Sequence, residues 1–172
     1  RCFRFALVLN FQIDPATLQS ALKYRDGLKQ ISQERKRDEL IKASLNLKYP
    51  WSLVCEFSTH KIWNAYGLPN EILDYKDYLF KSKIENEVEL LVKLLWALDA
   101  RLDLKLWLKE FKCSTDVRQS VIKALDFKKN ILDVMNWSEE DTHYFSHKND
   151  LRLVVDMLVI EMASPFYKSS LK

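Results

Sequence analysis

The sequence predicts an all-α fold, and three observations carry that expectation. Of 172 residues only two are glycine and four proline, too few breakers for a loop-rich sandwich or barrel. Leu, Lys, Glu and Ala, all good helix formers, dominate the runs between them. Each run opens on a capping residue or closes on a breaker, as helices do. At 48% hydrophobic, the chain has enough apolar surface for one domain or two small helical layers, and too much for disorder.

The elements follow in order. The opening RCFRFALVLN starts inside an apolar helix that ends near Leu9. Asp14 caps the second helix with Pro15 at its first position, where a missing N–H costs nothing. That helix is predicted to run to Asp26-Gly27, since glycine tolerates the positive φ past a helix end. Ser32 caps ERKRDELIKASL, with Glu34 in the first turn, where negative charge complements the helix dipole. Pro50 opens one helix, WSLVCEFSTHKIWNAY, which Gly67 and Pro69 close. ENEVELLVKLLWALD and DLKLWLKEF form a pair after it. Ser114, Thr115 and Asp116 start TDVRQSVIKALDF; Ser138, Glu139 and Glu140 start a segment after Trp137, and DLRLVVDMLVIEM is the last helix. The best linker candidate, Tyr75 to Asn86, is too aromatic for a flexible tether.

Composition excludes several classes. The longest apolar run, Val88 to Leu98, is broken by Lys93 and falls far short of the roughly 20 residues that cross a bilayer. Three cysteines, Cys2, Cys55 and Cys113, lack C-x-x-C spacing and are odd in number, against a disulfide framework or a four-thiolate zinc site. A reducing compartment, cytosol or organelle matrix, fits them. Charge is uneven: residues 1–42 hold nine Lys or Arg against five acids, net +4, which leaves the other 130 residues at −1 of the total +3. A basic N-terminal third on a nearly neutral body suits phosphate contact through counterion release, and equally suits a solvated helix face.

RFALVLNFQIDPATL, followed by ISQERKRDEL, resembles the two neck signatures of class II CCA-adding tRNA nucleotidyltransferases and their poly(A) polymerase relatives. Arg4, Phe5, Ala6, Phe11, Ile13, Asp14, Pro15, Thr17 and Leu18 match the first; Ile31, Ser32, Glu34, Arg35, Glu39 and Leu40 match the second. HKIWNAYGLPNE and LDLKLWLKEFKCSTDVRQSVIKALDF are similar to later helices of the mitochondrial-type eukaryotic enzymes. The resemblance implies a neck over residues 1–48, a helical body and the start of a tail over 49–172, and an organellar matrix, with cytoplasm or nucleus as alternatives. It also implies RNA as partner, a tRNA acceptor arm or ribosomal RNA, held by Arg1, Arg4 and Arg35; the basic charge of this third adds Lys36 and Arg37, which flank Arg35. Glu34 and Glu39 would support them, Glu39 by pairing with Arg35 at i+4 and so making Arg35 partly structural. The family often places a second arginine after RFA; Val8 stands there instead.

In that family a catalytic head precedes the neck, and Mg2+, CTP and ATP belong to the head. No D-x-D, G-G-x-x-R-D or P-loop occurs in this sequence, so no catalytic residue, cofactor or metal is assigned to it. Two functions follow from the resemblance. One is a non-catalytic RNA-binding module, such as a structural subunit of an organellar ribosome with protein partners. The other is the C-terminal part of an active CCA-adding enzyme.

Remaining candidates are weaker. His143 and His147 share a helical face near Asp141, without a third ligand at fitting spacing. Lys112 would lower the thiol pKa of neighbouring Cys113, but no orienting base is identifiable. Trp51, Trp63, Trp96, Trp107 and Trp137 are expected to pack in the core rather than stack on RNA bases.

Overall fold

A computed structural model describes residues 2–71, 79–80, 83–98 and 102–130, with side chains to residue 126. Every regular element among them is helical, as the sequence predicts. Two units, Arg1–Arg118 and Gln119–Lys172, divide the chain, so the predicted neck lies inside the first. Arg1, Trp137, His143, His147, Asp141 and the two helices predicted after residue 137 fall outside the described residues.

Helix α1 (Cys2–Leu9) buries Phe3 and Ala6 and ends where Asn10 turns left-handed, at φ 53°. There the Phe11 N–H reaches back to the Ala6 carbonyl at 3.0 Å, satisfying a helix-end acceptor. Helix α2 (Pro15–Lys23) starts as predicted, with Asp14 Oδ2 accepting the Thr17 N–H at 3.0 Å. It stops earlier than predicted. A 3-10 helix, Arg25–Gln30, takes over and carries Gly27 inside it, the Gly27 N–H bonding the Tyr24 carbonyl at 3.0 Å. These tighter bonds satisfy the orphan carbonyls, so no left-handed glycine is needed there. Helix α3 (Gln33–Asn46) is capped by Ser32 Oγ, which accepts the Arg35 N–H at 3.4 Å.

The helix predicted over 51–66 is two elements. Helix α4 (Trp51–Thr59) ends before Lys61, whose φ of 54° is strained for a side-chain-bearing residue, and the Ile62 N–H bonds the Phe57 carbonyl at 2.7 Å. Burial of Ile62 and Trp63 immediately afterwards offsets that strain. A 3-10 turn, Trp63–Tyr66, then closes on Gly67 at φ 70°, as predicted. A Cβ on Gly67 would meet Trp107 only at 3.6 Å, so backbone conformation, not space, requires the glycine.

Helix α5 (Glu87–Ala97), capped by Asn86 Oδ1, is buried from Leu90 onward and is the centre of the first unit. Helix α6 (Leu104–Glu110) starts at Asp103 and α7 (Thr115–Asn130) at Ser114, whose side-chain oxygens accept N–H groups at 3.0 and 3.3 Å. Trp63, Trp96, Phe80 and Phe111 are among the largest fully buried side chains. Phe57, Trp63 and Tyr66 pack ring on ring at centroid distances of 4.9 to 5.9 Å, and the Trp107 indole N–H donates to the Tyr66 carbonyl at 2.8 Å. Trp63, Trp96 and Trp107 are therefore core residues, while Trp51 is half-buried against Phe80. Leu79, Phe80 and Ile84, inside the linker candidate, are buried. Of the second unit, Gln119–Asn130 is described as the remainder of α7, with Val121 and Ala124 buried.

Candidate nucleic-acid interface

Helix α3 divides its charges between two faces. Lys36, Leu40, Ala43 and Leu47 recur at helical spacing and are all buried. Lys36 is 4% exposed, and its ammonium donates to the Ala65 carbonyl at 2.7 Å. Burial pulls its pKa below the ordinary lysine value. Arg37 turns to α5, where Nε and Nη2 each donate to a different oxygen of Glu87 at 2.6 Å. That two-pronged hydrogen bond raises its pKa further, and Glu87, in the first turn of α5, also complements the helix dipole. The expectation that both side chains flank Arg35 as phosphate ligands thus meets a structure in which both are engaged inward.

Glu39 binds Arg4 of α1, not Arg35. Arg4 Nε donates to Glu39 Oε2 at 3.1 Å, and the Arg4 guanidinium lies 4.2 Å from the Phe5 ring centroid. The predicted Arg35–Glu39 pair is corrected: among the described residues the Arg35 side chain forms no ion pair and no hydrogen bond, while its backbone N–H donates to the Ser32 cap. Arg35 is exposed because it lies one position off the Lys36–Leu40 stripe, on the same outward face as Asp38 and Lys42. Glu34 is exposed beside it. Arg4 and Glu39, 35 positions apart, join α1 to α3, which local spacing could not reveal.

Cys113 needs a second correction. Burial, followed by the nearby Glu87 carboxylate, pushes its thiol up to about 11, so Lys112 does not activate it. Arg37 partly opposes that shift.

A cleft of about 220 Å³ opens where α1, α2 and α3 meet, lined by Arg4, Tyr24, Arg25, Glu39 and Tyr66 among others. Arg25 Nη1 donates to the His60 carbonyl at 2.9 Å, fastening the 3-10 helix to the end of α4. Burial raises the Tyr66 hydroxyl pKa, which keeps it neutral. Between α1 and α4 the exposed charges are Lys23, Lys29, Arg35, Lys42 and Lys48 against Asp14, Asp26, Glu34 and Asp38. Folding has internalised much of the basic surplus. Lys29 lies 4.0 Å from Asp26, whereas Lys23, Arg35, Lys42 and Lys48 form no ion pair among the described residues. Sequence reasoning missed Glu87 and Tyr24; the stripe from Lys36 to Leu47 was the signal that could have marked Lys36 as inward. Among the described residues no group of three His, Cys, Asp or Glu could hold a metal ion, and no helix is long and apolar enough to cross a membrane.

Residues 10–53 match the family described as "Probable RNA and SrmB- binding site of polymerase A". The span takes in α2, the 3-10 helix, α3 and the start of α4, hence all four of those cations. No curated protein and no solved structure matches the chain. That match covers 44 of the 172 residues and supports, over that span, an RNA-binding region like that of polymerase A.

Proposed function

We propose that residues 10–53 hold RNA by its phosphates, within a non-catalytic helical module related to CCA-adding tRNA nucleotidyltransferases of the mitochondrial type. The observation that carries this reading is the family match over that span. Lys23, Arg35, Lys42 and Lys48 support it, as exposed cations without a carboxylate partner among the described residues. A-form helices offer little of their base edges and are recognised by shape and backbone, so the RNA is a duplex arm, a tRNA acceptor stem or a ribosomal RNA helix in an organellar particle. Binding rather than chemistry fits the carboxylates here: Glu39 holds Arg4, Glu87 holds Arg37 and Asp14 caps α2.

The test is a titration of the full chain against an acceptor-stem hairpin across a range of salt. Affinity should fall linearly in log–log form as salt rises. Absence of binding at low salt, or binding indifferent to salt, overturns the reading. The description of the matched family supports a second reading, a part of an active nucleotide-adding enzyme, because it speaks of a binding site of polymerase A. The full chain with CTP, ATP, Mg2+ and tRNA lacking its 3′ end separates the two. No addition is expected, and any template-free addition favours the second.

A further inference from the structure

Tyr24 stands between α2 and the 3-10 helix, 71% exposed, more than any other large apolar side chain among the described residues. Its backbone is fixed on both sides: its N–H donates to the Ser20 carbonyl at 3.4 Å, and its own carbonyl accepts the Gly27 N–H at 3.0 Å. The ring is therefore presented from a held base. It lines the 220 Å³ cleft together with Arg25 and Leu28. The Lys23 ammonium lies 5.8 Å from the ring centroid and has no carboxylate partner among the described residues.

We propose that Tyr24 is a stacking platform for an unpaired RNA base, with Lys23 contacting the adjoining phosphate. This rests on the RNA-binding reading and deepens it, adding a single-stranded segment to the duplex arm. An aromatic face beside a cation is what a nucleotide needs. Every base has a π-face, and the next phosphate lies within reach of a lysine stem. Charge complementarity decides against an apolar protein partner, which would have to cover Lys23 and Arg25 without neutralising them. A tyrosine also loses little side-chain freedom on contact, having two rotatable angles.

The test compares wild type, Tyr24→Phe and Tyr24→Ala, each as the full chain, on an unstructured oligoadenylate and on a blunt-ended hairpin, with thermal melts alongside. Tyr24→Ala should weaken oligoadenylate binding about five- to hundredfold and leave hairpin affinity and melting temperature unchanged. Tyr24→Phe should bind like wild type. Equal oligoadenylate affinity of Tyr24→Ala and wild type overturns the proposal, as does an equal loss on the hairpin. Tyr24→Phe losing as much as Tyr24→Ala also overturns it, since that loss would belong to the hydroxyl. Salt-dependent hairpin binding that survives such an outcome leaves the broader reading standing, whereas a wild type that binds neither RNA overturns both.

Discussion

Helix α5 and the stretch from α2 through the 3-10 helix belong to the same unit and are opposites in burial. From Leu90 to Ala97 every residue of the first is buried, including Lys93, whose ammonium meets Glu89 at 2.7 Å. The second contains no buried residue at all. A helix without a buried face is not held by burial of its own, so α2 depends on its Asp14 cap and on the hook from Arg25 to the His60 carbonyl. The difference teaches where selection for contact can act. Positions in α5 answer to packing, whereas Lys23, Tyr24 and Lys29 have no internal task large enough to fix their identity, and their chemistry is available to a partner.

Leu94→Ala against Leu18→Ala is the sharpest way to break this comparison. Truncating fully buried Leu94 should cost about 2–5 kcal/mol in denaturant unfolding, while half-buried Leu18 should cost much less. Similar losses at the two sites would mean that α2 is as much a core element as α5. The tie between α3 and α5 comes next in size. Arg37→Ala should cost about 1.5–3 kcal/mol, because it removes charged hydrogen bonds and strands Glu87, only 17% exposed. Arg37→Lys should recover a part of that loss, one prong being gone.

A pH dependence follows from the buried thiol. Cys113 titrates near 11 in the fold against an ordinary 9.0, so between those values the folded thiol keeps a proton that the unfolded one loses. Its contribution is complete below 9.0 and declines as pH rises toward 11. Unfolding free energy of wild type should thus fall more steeply than that of Cys113→Ala across this window. Parallel curves would contradict the shift.

Much of the fold is legible in the sequence. Asp14, Ser32, Asn86 and Asp103 are residues whose side-chain oxygens satisfy helix N-termini locally, and local chemistry reads directly from sequence. The two misplaced helix boundaries also have local causes. At Gly27 3-10 bonds replace a left-handed cap, and at Lys61 strain is accepted for the sake of burying Ile62 and Trp63. Side-chain partners are less legible. Arg4 with Glu39 and Arg37 with Glu87 are separated by 35 and 50 positions, so spacing could offer Glu39 only cations of its own helix, Arg35, Lys36 and Lys42. Lys36 reads as outward because lysine is rarely buried, although its place on the stripe with Leu40 and Ala43 already puts it inward.

The central claim is that α3 divides its cations between fold and RNA, and one paired experiment tests it. Arg35→Ala with Lys42→Ala and, separately, Lys36→Ala with Arg37→Ala are each titrated against an acceptor-stem hairpin at several salt concentrations and melted. The account predicts that replacing the outward pair flattens the salt slope by about one unit for each phosphate no longer neutralised, and leaves melting nearly unchanged. Replacing the inward pair should lower the melting temperature while the folded form keeps the wild-type salt slope. A flattened slope from the inward pair with no change from the outward pair would contradict the account.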